Sequence, residues 1–251
     1  MSVLLQCDNL TKRFGGLAAV NNLTMDLRKN EVLGLIGPNG AGKTTVINLI
    51  SGLLKPTSGN LYFEGKRIDG LSPNLICRLG IARTFQIPRP FKNLTVFQNL
   101  MVAAINGGGF SAAHAKKEVE RVIDIIGLKG KENMSAGSLT LMELKRLELG
   151  RALSMKPKLL LADEVAAGSR ENEIAELLSI FKMLKEMGLS ILVVEHIMSF
   201  VMKIADRVVV MNSGEKLAEG KPEEVSRDIK VIEVYLGKRE AQGVKDHFKH
   251  K

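Results

Sequence analysis

The sequence predicts an α/β protein whose core is a mainly parallel β-sheet with helices on both faces. In the second half of the chain, short runs of apolar residues alternate with stretches of helical periodicity. Apolar runs are typical of strands buried on both faces, and their alternation with helices is typical of parallel sheets. The chain has 251 residues, which is enough for one large domain or for a core with an inserted subdomain, and 45% of them are hydrophobic.

The order of predicted elements supports this fold class. Residues 3–7 and 23–27 have strand character, and residues 32–36 are almost wholly apolar, as in a strand buried on both faces. Residues 95–153 contain helix patterns and no convincing strand, which indicates an inserted helical subdomain. The remaining predicted strands are 61–63, 81–85, 158–163, 189–195, 207–211 and 216–219, and the remaining helices are 44–54, 171–187 and 198–204.

A glycine-rich loop between a buried strand and a helix carries the clearest chemical signal. Residues 37–44, GPNGAGKT, match the complete phosphate-binding loop pattern. Glycines let backbone N–H groups point at a phosphate, and the helix N-terminus adds positive potential. Lys43, on a loop expected to be solvent-accessible, would neutralise the β- and γ-phosphates, and the Thr44 hydroxyl would bind Mg²⁺. The predicted nucleotide contacts are Gly37, Asn39, Gly40, Ala41, Gly42, Lys43, Thr44 and Thr45.

Two carboxylates, Asp163 and Glu164, end another apolar strand. Ligands of open α/β sheets bind at the carboxyl ends of strands. Asp163 can hold Mg²⁺ through water, and Glu164 can polarise an attacking water as a general base. Solvated acids at the start of a loop are the alternative, and the phosphate-binding loop favours the functional interpretation.

Three further residues are ambiguous when taken alone. His196 follows an apolar strand, where a histidine is more often a surface residue than a functional one. Gln86 has no distinguishing local pattern, and Phe14 could be a core residue or could stack on a base. Only a family pattern separates these alternatives.

The order of the phosphate-binding loop, Gln86, Asp163–Glu164 and His196 resembles that of ABC-transporter nucleotide-binding domains. The similarity spans roughly residues 3–237. Four segments look like the ATP-binding subunits of branched-chain amino-acid importers. They are residues 14–20 (FGGLAAV), 80–86 (GIARTFQ), 91–96 (FKNLTV) and 231–237 (VIEVYLG).

The resemblance implies a RecA-like P-loop NTPase core with an antiparallel β subdomain and an inserted helical subdomain. Residues 1–87 would form the first part of the ATPase core together with the β subdomain. Residues 88–153 would be the helical subdomain, residues 154–237 the second part of the core, and residues 238–251 a basic tail.

The resemblance also implies roles for the ambiguous residues. Phe14 would stack on adenine, Gln86 would sense Mg²⁺ and the attacking water, and His196 would contact the γ-phosphate. The Mg²⁺ ligands would be Thr44, Gln86 and Asp163. The catalytic residues would be Lys43, Gln86, Glu164 and His196, and residues 88–97 would face the membrane subunits.

Two segments depart from the family pattern. The signature L-S-G-G-Q is replaced by residues 139–143, LTLME. Thr140 keeps a hydroxyl for the partner's γ-phosphate, but Leu141 and Met142 replace two glycines, and Glu143 is expected to repel the phosphate. After Glu164, residues 165 and 170 are Val and Arg, where the family usually has Pro and Asp or Asn.

Three functions are compatible with these features. The first is an ATP-hydrolysing subunit that dimerises on ATP, as a homodimer or a heterodimer, and drives polytopic membrane subunits of a transporter. The second is a soluble ABC-type ATPase acting on nucleic acid, which the net charge of +9 mildly favours. No coiled-coil heptads, zinc cluster or second ATPase domain supports it, so we expect no specific nucleic-acid site. The third is a weakly hydrolysing regulatory subunit.

The sequence also indicates where the chain works. No apolar run approaches the length of a membrane span, and residues 1–4 do not begin a signal-peptide pattern. Cys7 and Cys77 lack metal-ligand spacing and are expected to be buried in a reducing compartment. We therefore expect a cytoplasmic protein, peripheral on the inner face of the plasma membrane.

Overall fold

Residues 2–236 are described by the computed structural model, and they form two β-sheets flanked by helices. The four-stranded sheet has the order β2-β1-β4-β5 and is antiparallel. Its strands are β1 (Val3–Phe14), β2 (Leu17–Arg28), β4 (Ser58–Phe63) and β5 (Lys66–Arg67).

The six-stranded sheet has the order β10-β9-β3-β8-β7-β6 and is parallel except for β10. Its strands are β3 (Val32–Ile36), β6 (Ile81–Arg83), β7 (Leu159–Asp163), β8 (Ser190–Val194), β9 (Arg207–Asn212) and β10 (Glu215–Gly220). The central strands β3, β7 and β8 are buried at every position, as their apolar sequences predict. Because parallel strands end at the same edge, the segments after these three strands lie close together.

Helices cover the six-stranded sheet and complete the fold. They are α1 (Lys43–Ile50), α2 (Pro73–Leu79), α3 (Val96–Asn106), α4 (Ala112–Ile125), α5 (Leu141–Ser154), α6 (Glu171–Glu186), α7 (Met198–Ile204), α8 (Pro222–Val225) and α9 (Ile229–Leu236). None of the helices within residues 2–236 combines the length and apolar composition needed to cross a membrane.

Two hydrophobic cores lie on opposite faces of the six-stranded sheet. Alternate residues of β3 divide between them: Leu33 and Leu35 belong to the core with the antiparallel sheet and α1, whereas Val32 and Ile36 belong to the core with α3 to α7. The predicted α/β class with a mainly parallel sheet and an antiparallel β part is confirmed. The division into residues 1–87, 88–153 and 154–237 stays a prediction, and residues 238–251 lie outside the described part.

Several boundaries differ from the sequence predictions. Strands β1 and β2 each run for twelve residues rather than five, helix α1 ends at Ile50, and strand β6 ends at Arg83. Helix α2 was not predicted. Cys7 is buried as expected, but Cys77 is only partly buried, so the prediction for this cysteine is wrong.

Candidate functional site

The phosphate-binding loop follows β3 and turns directly into α1. Gly42 has φ 100° and Gly40 has φ 79°, conformations that favour glycine. A Cβ on Gly42 would lie 2.3 Å from the carbonyl oxygen of Ala19, whereas a Cβ on Gly40 would meet nothing within 4 Å. One glycine therefore lets the loop pass close to β2, and the other faces open space.

Lys43 lies in this loop, which is solvent-accessible at Asn39 and Gly40 as the sequence predicts. Its side chain is buried, and its ammonium group donates to the carbonyl oxygens of Gly37 at 2.7 Å and Pro38 at 3.0 Å. Burial lowers the pKa of Lys43, while the carboxylates of Glu164 and Asp163 raise it. The loop thus holds a cation at the position where a phosphate would bind.

A cavity of about 300 Å³ opens over the loop. It brings seven of the eight predicted loop residues together with Glu164, since Asn39, Gly40, Ala41, Gly42, Lys43, Thr44 and Thr45 all line it. Cavities of about 660 and 750 Å³ lie elsewhere and contain none of the predicted site residues. The smaller cavity is the better candidate because it alone of these three combines the loop glycines, the buried Lys43 cation and the Glu164 carboxylate.

Asp163 ends β7 and is buried against a guanidinium group. Arg83 donates from Nη2 to Asp163 Oδ2 at 2.9 Å and from Nη1 to Asn48 Oδ1 of α1 at 2.7 Å. The backbone N–H of Asp163 donates to Thr84 Oγ1 at 3.2 Å. Arg83 was not predicted as a site residue, yet it connects the helix after the phosphate-binding loop with the carboxylate.

Three predicted catalytic residues converge beside the cavity. Gln86 Nε2 donates to Glu164 Oε2 at 2.6 Å, and the same oxygen lies 3.8 Å from Nδ1 of His196. Glu164 has φ 48°, and its backbone N–H donates to the carbonyl oxygen of Val194 at 2.8 Å. The end of β8 therefore fixes the backbone from which the Glu164 side chain reaches the cavity.

The side-chain oxygen atoms at and beside the cavity fit a magnesium ion that is held mainly by a nucleotide. No group of three or more His, Cys, Asp and Glu residues within residues 2–236 could hold a metal ion by itself. Mg²⁺ usually takes one or two protein oxygens together with phosphates and water. Thr44 is exposed on the cavity, Asp163 ends the strand beside it, and Gln86 keeps its amide oxygen free of the contact with Glu164. These three residues would hold the ion, which would neutralise phosphate charge.

The structure does not place Phe14 among the residues that line the cavity. Phe14 is 48% exposed at the tip of the β1–β2 hairpin, with the Lys12 ammonium group 5.2 Å from the ring centre. The hairpin continues through Ala19, which does line the cavity. The position is compatible with base stacking beside the cavity, and the stacking role stays a prediction.

Thr140 begins helix α5, and its hydroxyl is engaged within its own chain. Thr140 Oγ1 donates to Glu143 Oε2 at 2.9 Å, and the Thr140 backbone N–H donates to the same oxygen at 2.8 Å. Glu143 also pairs with Lys131, which is the main reason that its pKa is lowered. Within this chain Lys131 compensates the charge of Glu143, and the predicted repulsion of a partner's γ-phosphate stays a prediction. Leu141 beside it is 61% exposed.

The second departing segment follows Glu164. Val165 is buried in the hydrophobic core, and Arg170 is exposed immediately before α6. The Arg170 backbone N–H donates to Glu173 Oε2 at 2.7 Å. This N–H at the start of α6 therefore has a hydrogen-bond partner within the chain, as that of Thr140 does.

Comparison with known proteins agrees with this geometry. The ABC transporter family profile matches residues 20–167, and that of the branched-chain amino acid ATP-binding cassette transporter matches residues 215–241. The chain is 40% identical to a probable branched-chain amino acid transport ATP-binding protein LivG of Archaeoglobus fulgidus, over 95% of this chain and 97% of that protein. It is also 40% identical to the high-affinity branched-chain amino acid transport ATP-binding protein LivG of Salmonella typhimurium, over 93% and 98%.

A solved structure has the same fold along nearly the whole chain. The ADP conformation of an ATP-binding cassette of an ABC transporter superposes with a TM-score of 0.86 at 31% identity. The match covers 95% of this chain and all of that one. The chain therefore belongs to the ABC transporter family, as an ATPase subunit with an ATP-binding cassette.

Proposed function

We propose that this chain powers the import of branched-chain amino acids through a membrane transporter. The observation that carries the proposal is the convergence of Gln86, Glu164 and His196 beside a cavity formed by the phosphate-binding loop. The names of the relatives support the substrate class.

In this proposal each site residue has a separate role in ATP binding or hydrolysis. Lys43 and the loop N–H groups bind the β- and γ-phosphates, and Phe14 stacks on adenine. Glu164 accepts a proton from the attacking water, Gln86 orients that water, and His196 contacts the γ-phosphate. Thr140 would face the γ-phosphate of a second ATP-binding subunit.

An apolar surface supports a membrane partner. Phe85, Ile87 and Phe91 are 43%, 70% and 47% exposed, and all three lie in or beside the segment that links Gln86 to α3. Exposed apolar side chains that recur within one short segment mark protein interfaces more often than scattered ones do. We propose that residues 88–97 contact polytopic membrane subunits on the inner face of the plasma membrane, and that residues 88–153 move as one unit.

Uptake in cells of the source organism tests the function. Deletion of this chain should abolish energy-dependent uptake of radiolabelled leucine, and the wild-type chain but not Lys43→Ala should restore it. Copurification from native membranes should recover polytopic proteins, with crosslinks at residues 88–97. Normal leucine uptake in the deletion strain would contradict the substrate class, and the absence of membrane proteins would contradict the partner.

Nucleic-acid binding is the main alternative, and salt dependence separates it. The basic charge should produce only weak DNA or RNA binding that falls steeply with salt, as charge alone requires. Tight binding that persists at high salt would contradict the transporter proposal.

The second candidate function is that of a subunit that hydrolyses ATP only weakly. The hydrogen bonds at the start of helix α5 favour it. The backbone N–H and hydroxyl of Thr140 are already bonded to Glu143. A partner subunit with a different signature segment would then complete the hydrolytic site, in a heterodimer rather than a homodimer.

A further inference from the structure

A fully buried carboxylate lies behind the cluster of Gln86, Glu164 and His196. Glu195 directly follows β8, and its side chain has no exposed surface. An ionised carboxylate in such a place is costly unless hydrogen-bond donors satisfy it. None of the roles proposed above uses this group.

One oxygen of Glu195 holds the backbone that follows Glu164. Oε1 accepts the N–H of Ala166 at 2.6 Å, and Ala166 is itself fully buried. From the other side, Lys145 of α5 donates to the carbonyl oxygen of Ala167. The loop after Glu164 is thus held by β8 and by α5 together.

The other oxygen of Glu195 faces His196. Oε2 is buried and has no partner of good hydrogen-bond geometry within residues 2–236. It lies 4.0 Å from Nδ1 of His196, and Glu164 Oε2, which already accepts from Gln86, lies 3.8 Å from the same nitrogen. The imidazole is 48% exposed, so it has room to turn and close this gap to hydrogen-bond distance.

The burial of Glu195 opposes its ionisation. Burial raises the pKa of Glu195 to about 7, and the nearby carboxylate of Glu164 adds to this. The backbone amides of Ala166 and His196 and the ammonium group of Lys145 act in the opposite direction. A hydrogen bond from Nδ1 would favour the ionised form of Glu195.

We propose that Glu195 is a positioning residue for ATP hydrolysis, which holds the backbone behind Glu164 and orients the His196 ring by accepting its Nδ1–H. With Nδ1 held in this way, Nε2 points away from Glu195 and is free to meet the phosphate end of the nucleotide. The inference rests on the proposed function, because it assumes that His196 contacts the γ-phosphate.

Glu195→Gln is the test variant. Its amide oxygen can still accept the Ala166 N–H, but the amide nitrogen that then faces His196 can only donate. We expect the shift in melting temperature caused by ATP and Mg²⁺ to be retained, KM to change by less than about threefold and kcat to fall by about tenfold or more. Glu31→Gln is the matched control, because Glu31 is also buried but lies beside the opposite end of β8.

The ring nitrogens of His196 give a readout independent of turnover. The chain has four histidines, so ¹⁵N-histidine spectra can be assigned with His196→Gln. In the presence of ATP and Mg²⁺, Nδ1 of His196 should be protonated in the wild type, and its signal should move in Glu195→Gln but not in Glu31→Gln. If Glu195→Gln does not fold, Glu195→Asp replaces it, since the shorter side chain cannot reach both Ala166 and His196.

Two outcomes would overturn the proposal. One is an unchanged His196 spectrum together with kcat within about twofold of the wild type. The other is a loss of kcat in the double variant Glu195→Gln, His196→Gln equal to the product of the single losses, because residues that act through one another are not additive. A wild type that shows no melting shift with ATP would instead contradict the proposed function.

Discussion

Lys43 carries the charge that would bind phosphate, and its substitution should separate binding from folding. Lys43→Ala should lose most of the stabilisation by ATP and Mg²⁺, which is about 2.7 kcal/mol at 100 times the dissociation constant. The apo protein should also lose about 1 kcal/mol, because two loop carbonyls lose their donor. Thermal unfolding with and without ATP measures both effects.

Lys203→Ala is the control for the loss of a lysine, since Lys203 is exposed on α7. It should show the full melting shift with ATP. Equal shifts in Lys43→Ala and the wild type would show that the loop does not bind the phosphates.

Glu164 is the proposed general base, and Glu164→Gln keeps its shape while removing its basicity. Hydrolysis should fall by about 10²- to 10⁴-fold, the usual contribution of general acid–base catalysis. Closed ATP-bound dimers should then accumulate, and size-exclusion chromatography with and without ATP detects them. Glu186→Gln, an exposed change at the end of α6, is the control. A monomeric Glu164→Gln protein that hydrolyses ATP at the wild-type rate would exclude Glu164 as the base.

Some residues of the candidate site could be predicted from the sequence, and others could not. The loop residues and Glu164 follow from motif and context, and the structure brings all of them except Gly37 to one cavity. Arg83 and Glu195 could not be found this way, since a lone charged residue in a sequence is usually solvated. Their burial depends on partners distant along the chain, such as Asp163 for Arg83 and Ala166 for Glu195.

At the scale of elements, the residues that stabilise the start of helix α5 are the same residues that are proposed to face a phosphate during hydrolysis. Thr140 and Glu143 form a capping box, so the helix gains stability from the same groups that a phosphate would need. Residues 139–143 rebuilt as Leu-Ser-Gly-Gly-Gln keep this box, because Ser and Gln can replace Thr and Glu in it. The rebuilt helix should therefore still form.

Rebuilding residues 139–143 should increase hydrolysis by the isolated chain. The exposed Leu141 side chain is removed, and glycine backbone can approach a phosphate closely. We expect the ATPase rate to rise by about tenfold or more, which corresponds to about 1.4 kcal/mol off the barrier. The ATPase rate is measured at a series of protein concentrations, both for the rebuilt segment alone and for the rebuilt segment combined with Arg170→Asp. A high wild-type ATPase rate that rises with protein concentration and does not change on rebuilding would contradict this prediction. It would show that the native residues 139–143 already support hydrolysis in a dimer.

The elements that were predicted poorly have local causes. Helix α2 buries only Ile76, so it lacks an apolar stripe that periodicity could reveal. In β1 and β2, Asn9 and Asn22 both have φ 47°, and the register of β1 shifts near Asn9. Such bulges interrupt the alternation by which strands are recognised, and both strands were therefore predicted too short.

At the scale of the whole molecule, one arginine connects the two sheets. Arg207, at the start of β9, donates from Nε to Glu31 Oε1 at 2.8 Å and from Nη2 to the carbonyl oxygen of Asp26 at 2.6 Å. Asp26 belongs to the antiparallel sheet, and Arg207 also pairs with Glu219 of β10. The hydrogen bond to Glu31 is the main reason that the pKa of Arg207 is raised.

Arg207→Met should destabilise the whole fold rather than one edge of it. Glu31 is only 6% exposed, and without Arg207 it would be a buried charge, which costs about 3 kcal/mol or more. Urea unfolding should show a lower midpoint with an unchanged slope, and adding Glu31→Gln should recover part of the loss because an amide needs no countercharge. Arg227→Met, at an exposed arginine, should change stability by less than about 0.5 kcal/mol. An Arg207→Met protein as stable as Arg227→Met would mean that packing in the core between the two sheets, without this ion pair, holds them together.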